Sequence, residues 1–281
     1  MSIAPPEFTP TQESLFLTLG SRALDSRLSR PFLGDTMADE ILATIDYGLE
    51  KFPQLTTRLL DRRSRVFDAA VRAKVFDEMV RRFVLRRPDA VVLDLGAGLD
   101  GRMLRVDPPP TVEWYDIDFP RVIALRRQVL PQPANAHNIA ADLTEPDWLQ
   151  DIPRDKPAMI VADGLVLFLH NDDFVSLLNR LTAHFPGGEL ALNAYTTWAI
   201  WTFKHSRAMR AIAGGIANRG LNDPRMLERW VDGLTLLEEI FLTRVPEVAE
   251  LPLIDRCASR LAARSVKASR MMRTMVLHYR F

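Results

Sequence analysis

Two short segments hold most of the chemistry this chain can offer. One is V-V-L-D-L-G-A-G-L-D-G-R over residues 91–102, and the other is W-Y-D-I-D-F-P over residues 114–120. Apolar residues around a single acid, Asp94, read as a buried strand, and the glycine-rich turn behind it opens a helix. That pattern is how α/β proteins bring backbone close to a nucleotide-like cofactor. Gly96, Gly98 and Gly101 also spell G-x-G-x-x-G, with an acid about 20 residues further on. The letters alone leave two cofactors open, a nicotinamide dinucleotide and S-adenosylmethionine.

Further acids recur where strands are expected to end. Asp116 and Asp118 close the second strand, where a carboxylate can accept both hydroxyls of a ribose; Asp118 is equally placed to cap the helix opening at Pro120. Asp142, in A-A-D-L, closes the third strand near an adenine edge, and Asp163, in V-A-D-G, faces the reacting end of a ligand. Asp94 is placed to receive donors from the glycine turn. The dinucleotide reading fits less well, because V-D-P-P-P at 106–110 cuts the helix after Gly101 within two turns. It also lacks an evident catalytic His, Lys or Tyr in a second domain. Candidate general bases are few: His170 follows the fourth strand and His205 lies further on, each equally at home as an ordinary polar or capping histidine. No metal is expected.

The elements that must position these groups fall into two styles. Helical spacing covers residues 12–29, with Pro31 as its stop, then 37–47 and 64–86. From residue 90 the pattern becomes strand, turn, helix. Strands are expected at 90–95, 111–117, 138–141, 159–163 and 189–195, and helices at 99–104, 120–129 and 172–185. Such alternation predicts a parallel sheet with crossover helices. Two late strands, 234–242 and 274–281, complete it, and a helical insertion at 198–230 forms a cap. The chain is expected to be one domain: N-terminal helices over 1–89, a cofactor-binding core over 90–195, the cap over 196–232, and closing strands with a helix over 233–281. In the cap, Trp198, Trp201, Phe203 and Met209 offer an aromatic and thioether surface for a flat apolar acceptor, or simply pack the cap onto the sheet. Arg207 and Arg210 are candidate partners for an acceptor carboxylate, and Gly214 and Gly215 are candidate hinges.

Composition excludes several partners. The 281 residues are 47% hydrophobic, enough for one large α/β domain, and formal net charge is zero, so no global field draws the chain to nucleic acid or an anionic membrane. Arg81, Arg82, Arg86 and Arg87 read as a solvated helix face. One cysteine, Cys257, rules out an internal disulfide and suits a reducing compartment. Residues 1–11 lack the basic and apolar regions of a secretory signal, and apolar runs such as 165–169 are far too short for a membrane span. A soluble, cytoplasmic protein of undetermined oligomeric state acting on a small molecule is expected.

These segments together carry a resemblance. E-S-L-F-L-T-L-G-S-R-A-L-D-S from Glu13, I-D-Y-G-L from Ile45, the two segments above, D-G-L-V-L-F-L from Asp163 and F-P-G-G-E-L from Phe185 resemble, in order, the leucine carboxyl methyltransferase family. The likeness is to its bacterial branch of tetracenomycin polyketide-synthesis O-methyltransferases. It implies a class I methyltransferase fold, Rossmann-like, with a seven-stranded, mostly parallel sheet and S-adenosylmethionine as cofactor. Carried over residue by residue, it implies that Gly96 and Gly98 approach the methionine part, Asp118 holds the ribose hydroxyls, and Asp142 with Leu143 frames the adenine. Arg72, with Arg22 in a similar role, grips the methionine carboxylate, and Asp163 meets the amino group. The implied activity is O-methylation of a carboxylate or phenol; Phe168 and, from the reading of the cap, Trp198, Trp201 and Arg207 are expected near the acceptor. Three positions depart from the family: Gly101 replaces a threonine and alone creates the dinucleotide fingerprint, Asp163 replaces a glutamate, and Phe168 replaces a tyrosine. The last two leave open a protein that binds the cofactor without transferring its methyl.

Overall fold

A computed structural model describes residues 3, 6–45, 47–57 and 61–281. Asp46 of I-D-Y-G-L and residues 1, 2, 4 and 5 of the N-terminal reading lie outside them. Seven strands, β1 (Val91–Leu95), β2 (Glu113–Asp118), β3 (Ala136–Ala140), β4 (Ala158–Ala162), β5 (Gly188–Ala194), β6 (Thr235–Phe241) and β7 (Met275–Arg280), form one sheet in the order β3-β2-β1-β4-β5-β7-β6. The five earlier strands pair in parallel, and β7 runs antiparallel to both β5 and β6. Strand order reverses between β1 and β4, which is where open α/β sheets leave a crevice at their carboxyl ends.

Burial follows from the residues. β1 and β4 read V-V-L-D-L and A-M-I-V-A and are buried throughout, as strands covered on both faces must be. Alternation still sorts them: Val91, Leu93 and Leu95 enter one apolar layer, while Val92 enters the other with Met159 and Val161. The edge strands β3 and β6 are only partly covered.

Twelve helices are present among the described residues: α1 (Pro10–Ser26), α2 (Thr36–Thr44), α3 (Pro53–Thr56), α4 (Arg62–Arg86), α5 (Arg102–Val106), α6 (Pro120–Val129), α7 (Asn171–His184), α8 (Thr197–His205), α9 (Arg210–Ala213), α10 (Met226–Trp230), α11 (Leu253–Ala262) and α12 (Val266–Met272). The long α4 covers one sheet face with Val66, Phe67, Val71, Phe76, Val80 and Phe83, and α7 covers the other with Phe174, Leu177, Leu178 and Leu181. α1 starts in a capping box, with Thr9 and Gln12 bonding reciprocally and Pro10 in the first turn. Its Phe16, Leu19 and Ala23 join α2 and α6 in a third cluster beside the strand ends.

Several expectations change. The cap is α-helical only in α8, α9 and α10, with a 3-10 turn at Arg207–Met209 and irregular chain between the last two, and two α-helices, not one, lie between β6 and β7. Gly215 has a packing reason as well: a Cβ there would meet the Thr11 backbone nitrogen at 2.8 Å, so the glycine lets the cap pack directly on the start of α1. Among the described residues no helix is long and apolar enough to cross a membrane.

Candidate cofactor and acceptor site

Behind β1 the chain must turn sharply toward solvent, and two glycines make that possible. Gly96 has φ +65° and Gly98 φ +52°, the left-handed region that L side chains rarely adopt. The third glycine of the fingerprint behaves differently. Gly101 has φ −84° and a Cβ there would have its nearest neighbour at 3.5 Å, so neither conformation nor space demands glycine. The dinucleotide pattern is thus one of letters, not of backbone.

A cavity of about 300 Å³ opens over this turn at the reversal of strand order. Its wall includes Gly96 and Gly98 behind β1, Asp118 and Phe119 behind β2, Asp163 and Gly164 behind β4, and Tyr195 behind β5. α1 adds Arg22 and α4 adds Arg72. Phe168, Phe203, Met209 and Ile212 give an apolar lining where α8 and α9 close over the space.

Asp118 is the acid that faces the cavity from β2. Its carboxylate accepts the Gly98 N–H at 2.8 Å and the Phe119 N–H at 2.7 Å. It does not cap α6, whose N-cap is Phe119. Burial pushes its pKa up to about 6 against the opposing pull of those two N–H donors. Asp116 is spent elsewhere, accepting from Arg126 at 2.6 Å and from the Trp114 indole at 3.0 Å.

At the other end Arg72 donates to Asp163 at 2.6 Å, with the Tyr195 hydroxyl 3.4 Å away. Burial works against the Arg72 charge, but Asp163 outweighs it and the guanidinium is held above its ordinary pKa. Asp163 also accepts from Arg102 at 3.0 Å. Arg102 is the centre of a buried ionic cluster that sequence reading missed: it further contacts Asp94 and Asp77 at 2.9 Å and Asp100 at 3.1 Å. Arg22 and Arg105 join it, sharing Asp35 and Asp100. Asp94 therefore accepts from a guanidinium, not from the turn amides. Burial raises its pKa to about 7, Arg102 pulling the other way. Asp100 is held well below the usual carboxylate range, since Arg105, Arg22 and Arg102 together overcome its burial.

Other candidates fall outside the cavity. Asp142 is exposed, accepts from the Thr144 backbone and hydroxyl, and lines a separate groove with Tyr115 and His137. Leu143 is buried in the sheet core, its carbonyl accepting from Arg180. His170 is exposed at the start of α7. His205 is exposed and bonds the Trp201 carbonyl through Nδ1. Trp198 and Trp201 are 50% and 59% exposed, and Arg207 is exposed as well. The aromatic face of the cap thus divides: Phe203 and Met209 turn inward, while the tryptophans turn to solvent. No histidine lines the cavity, and among the described residues no cluster of three or more His, Cys, Asp or Glu is placed to hold a metal.

Sheet order, glycine turn and strand-end acids define the class I methyltransferase fold. A Thermobifida fusca structure of a candidate methyltransferase shares that fold at TM-score 0.52 and 18% identity, covering 92% of this chain and 93% of its own. Sequence comparison narrows the class. The family model for leucine carboxyl methyltransferases matches residues 16–182. A tetracenomycin polyketide synthesis O-methyltransferase of Streptomyces glaucescens is 39% identical over 248 residues, 88% of this chain and 89% of its own length. An S-adenosyl-L-methionine-dependent methyltransferase of Gibberella zeae is 32% identical over 83% of each chain. The chain belongs to the leucine carboxyl methyltransferase family and is an S-adenosylmethionine-dependent methyltransferase.

Proposed function

We propose that this protein is an O-methyltransferase that moves the methyl of S-adenosylmethionine to a carboxylate or phenolate oxygen of a small organic or polyketide-like acceptor in the cytoplasm. The observation that carries this reading is one cavity with an Arg72–Asp163 pair at one end and Asp118 at the other, joined by the glycine turn. An amino acid zwitterion matches a neighbouring guanidinium and carboxylate, and a ribose diol matches a desolvated carboxylate. The cofactor's sulfonium supplies an already activated methyl, so the protein's work is placement and water exclusion. Arg72, supported by Arg22, would hold the methionine carboxylate, Asp163 the ammonium and Asp118 the ribose. Asp142 and Leu143, expected to frame the adenine, lie outside the lining of this cavity.

Among the described residues no histidine lines the cavity, and its acids are already engaged: Asp163 by two arginines, Asp94 by Arg102 and Asp118 by two amides, while His170 and His205 lie outside. A carboxylate acceptor is ionised at pH 7 and needs no base, whereas a phenol with pKa near 10 does. This favours carboxyl methylation. Transfer of labelled methyl to aromatic acids and phenols tests the reading: base-labile products indicate esters, base-stable ones ethers. Calorimetry with S-adenosylhomocysteine separates the alternatives. Binding without transfer to any acceptor supports a binding protein, and failure to bind overturns the proposal.

A further inference from the structure

Part of the cavity wall is not used by the cofactor reading. On α4 the residues Arg65, Asp68, Ala69 and Arg72 all line the space, a spacing of i, i+3, i+4 and i+7 that puts them on one helix face. Arg72 meets Asp163 at the strand ends. Arg65 lies two turns nearer the helix start, about 10 Å further along the axis, where it donates to the Leu55 carbonyl of α3; Gln54, the residue before Leu55, lines the same cavity.

Polar groups in this part of the wall lack partners. Among the described residues both the Nε2 and the Oε1 of Gln54 are shielded from solvent without a hydrogen bond, and so is the Nε of Arg65. The Arg65 Nη1 donates to the Leu55 carbonyl, but the side chain forms no ion pair among the described residues; the nearby Asp68 is paired with Arg273. Shielded donors without acceptors are costly, and an uncompensated cation in a cavity wall more so. An anionic oxygen group satisfies Arg65 and the Gln54 amide together. Beyond it, Leu55, Phe168, Phe203 and Met209 line the same space with apolar surface.

We infer that Gln54 and Arg65 are the recognition end of the acceptor subsite, selecting an apolar or aromatic molecule that carries an anionic oxygen group. The inference rests on the methyltransferase reading above, and replaces Trp198, Trp201 and Arg207 as the residues that choose the acceptor.

Protein saturated with S-adenosylhomocysteine, so that Arg72 is occupied, is titrated with 2-naphthoate and with its neutral isostere 2-naphthamide. The naphthoate is expected to bind at least tenfold more tightly. Arg65→Met and Gln54→Leu should each remove most of that preference while leaving S-adenosylhomocysteine affinity within about twofold. Arg65→Lys, which keeps the charge but not the planar donors, should retain part of it. Trp201→Ala should change nothing. Equal binding of the two probes, binding of neither, or a preference that survives Arg65→Met overturns the inference. If S-adenosylhomocysteine itself does not bind, the fault lies with the proposed function instead.

Discussion

Asp118 shows how one residue can serve a ligand at the protein's expense. Burial favours its neutral form, while the N–H groups of Gly98 and Phe119 preserve enough of the charged one to place its pKa at about 6. A ribose hydroxyl bonds best to the carboxylate, so affinity for S-adenosylhomocysteine is expected to weaken as pH falls through about 6. Asp118→Asn should bind at least tenfold more weakly at pH 8 and lose that pH dependence, as read by calorimetry at several pH values. Affinity unchanged by the substitution would remove Asp118 from the ribose role. The residue was legible in the sequence because it ends a strand. Arg102 was not: its four carboxylate partners come from α4, β1, the glycine turn and the end of β4, and no spacing in the chain announces that meeting.

At the scale of elements, the turn after β1 separates glycines that look alike in a motif. Gly98 is held at positive φ, with the Leu15 Cβ 3.4 Å from where its own would stand, and Gly101 is under neither constraint. Gly101→Thr is therefore expected to fold normally and bind S-adenosylhomocysteine as the parent does, whereas Gly98→Val should lower melting temperature and abolish binding. Thermal melts with and without the ligand check both. Loss of binding in Gly101→Thr would show that the cofactor turn needs this glycine as well. The cap gives the converse lesson. Its aromatic residues were visible, but periodicity over so short a helix as α8 could not say that Phe203 faces the cavity and Trp201 the solvent, because packing against Leu167, Phe168 and Tyr195, far off in the chain, sets that orientation.

Across the whole molecule, the buried ionic cluster couples the strand ends to the N-terminal helices. Arg22, Arg72, Arg102 and Arg105 face Asp35, Asp77, Asp94, Asp100 and Asp163, one carboxylate more than guanidinium. Within this cluster Asp94 is raised to about 7 by burial, with the neighbouring Asp116 and Asp100 adding to this against the pull of Arg102. In the unfolded chain it titrates near 4, so the folded state holds the extra proton between about pH 4 and 7. Its contribution to stability is fully present below that window and is lost as pH rises through about 7. Asp94→Asn should consequently raise the melting temperature more at pH 8 than at pH 5. A larger gain at pH 5 would contradict this balance.

The sequence by itself determined the order of strands and helices, the glycine turn, and the acids that end strands, because each is written in neighbouring residues through apolar alternation and local backbone demands. It also determined the family. Tertiary structure alone decided which of those acids remain free to face a ligand, which arginines neutralise one another, and which end of the cavity is left with unmatched donors. Those outcomes depend on groups far apart in the chain meeting where water is scarce, and burial then sets the strength of every charge.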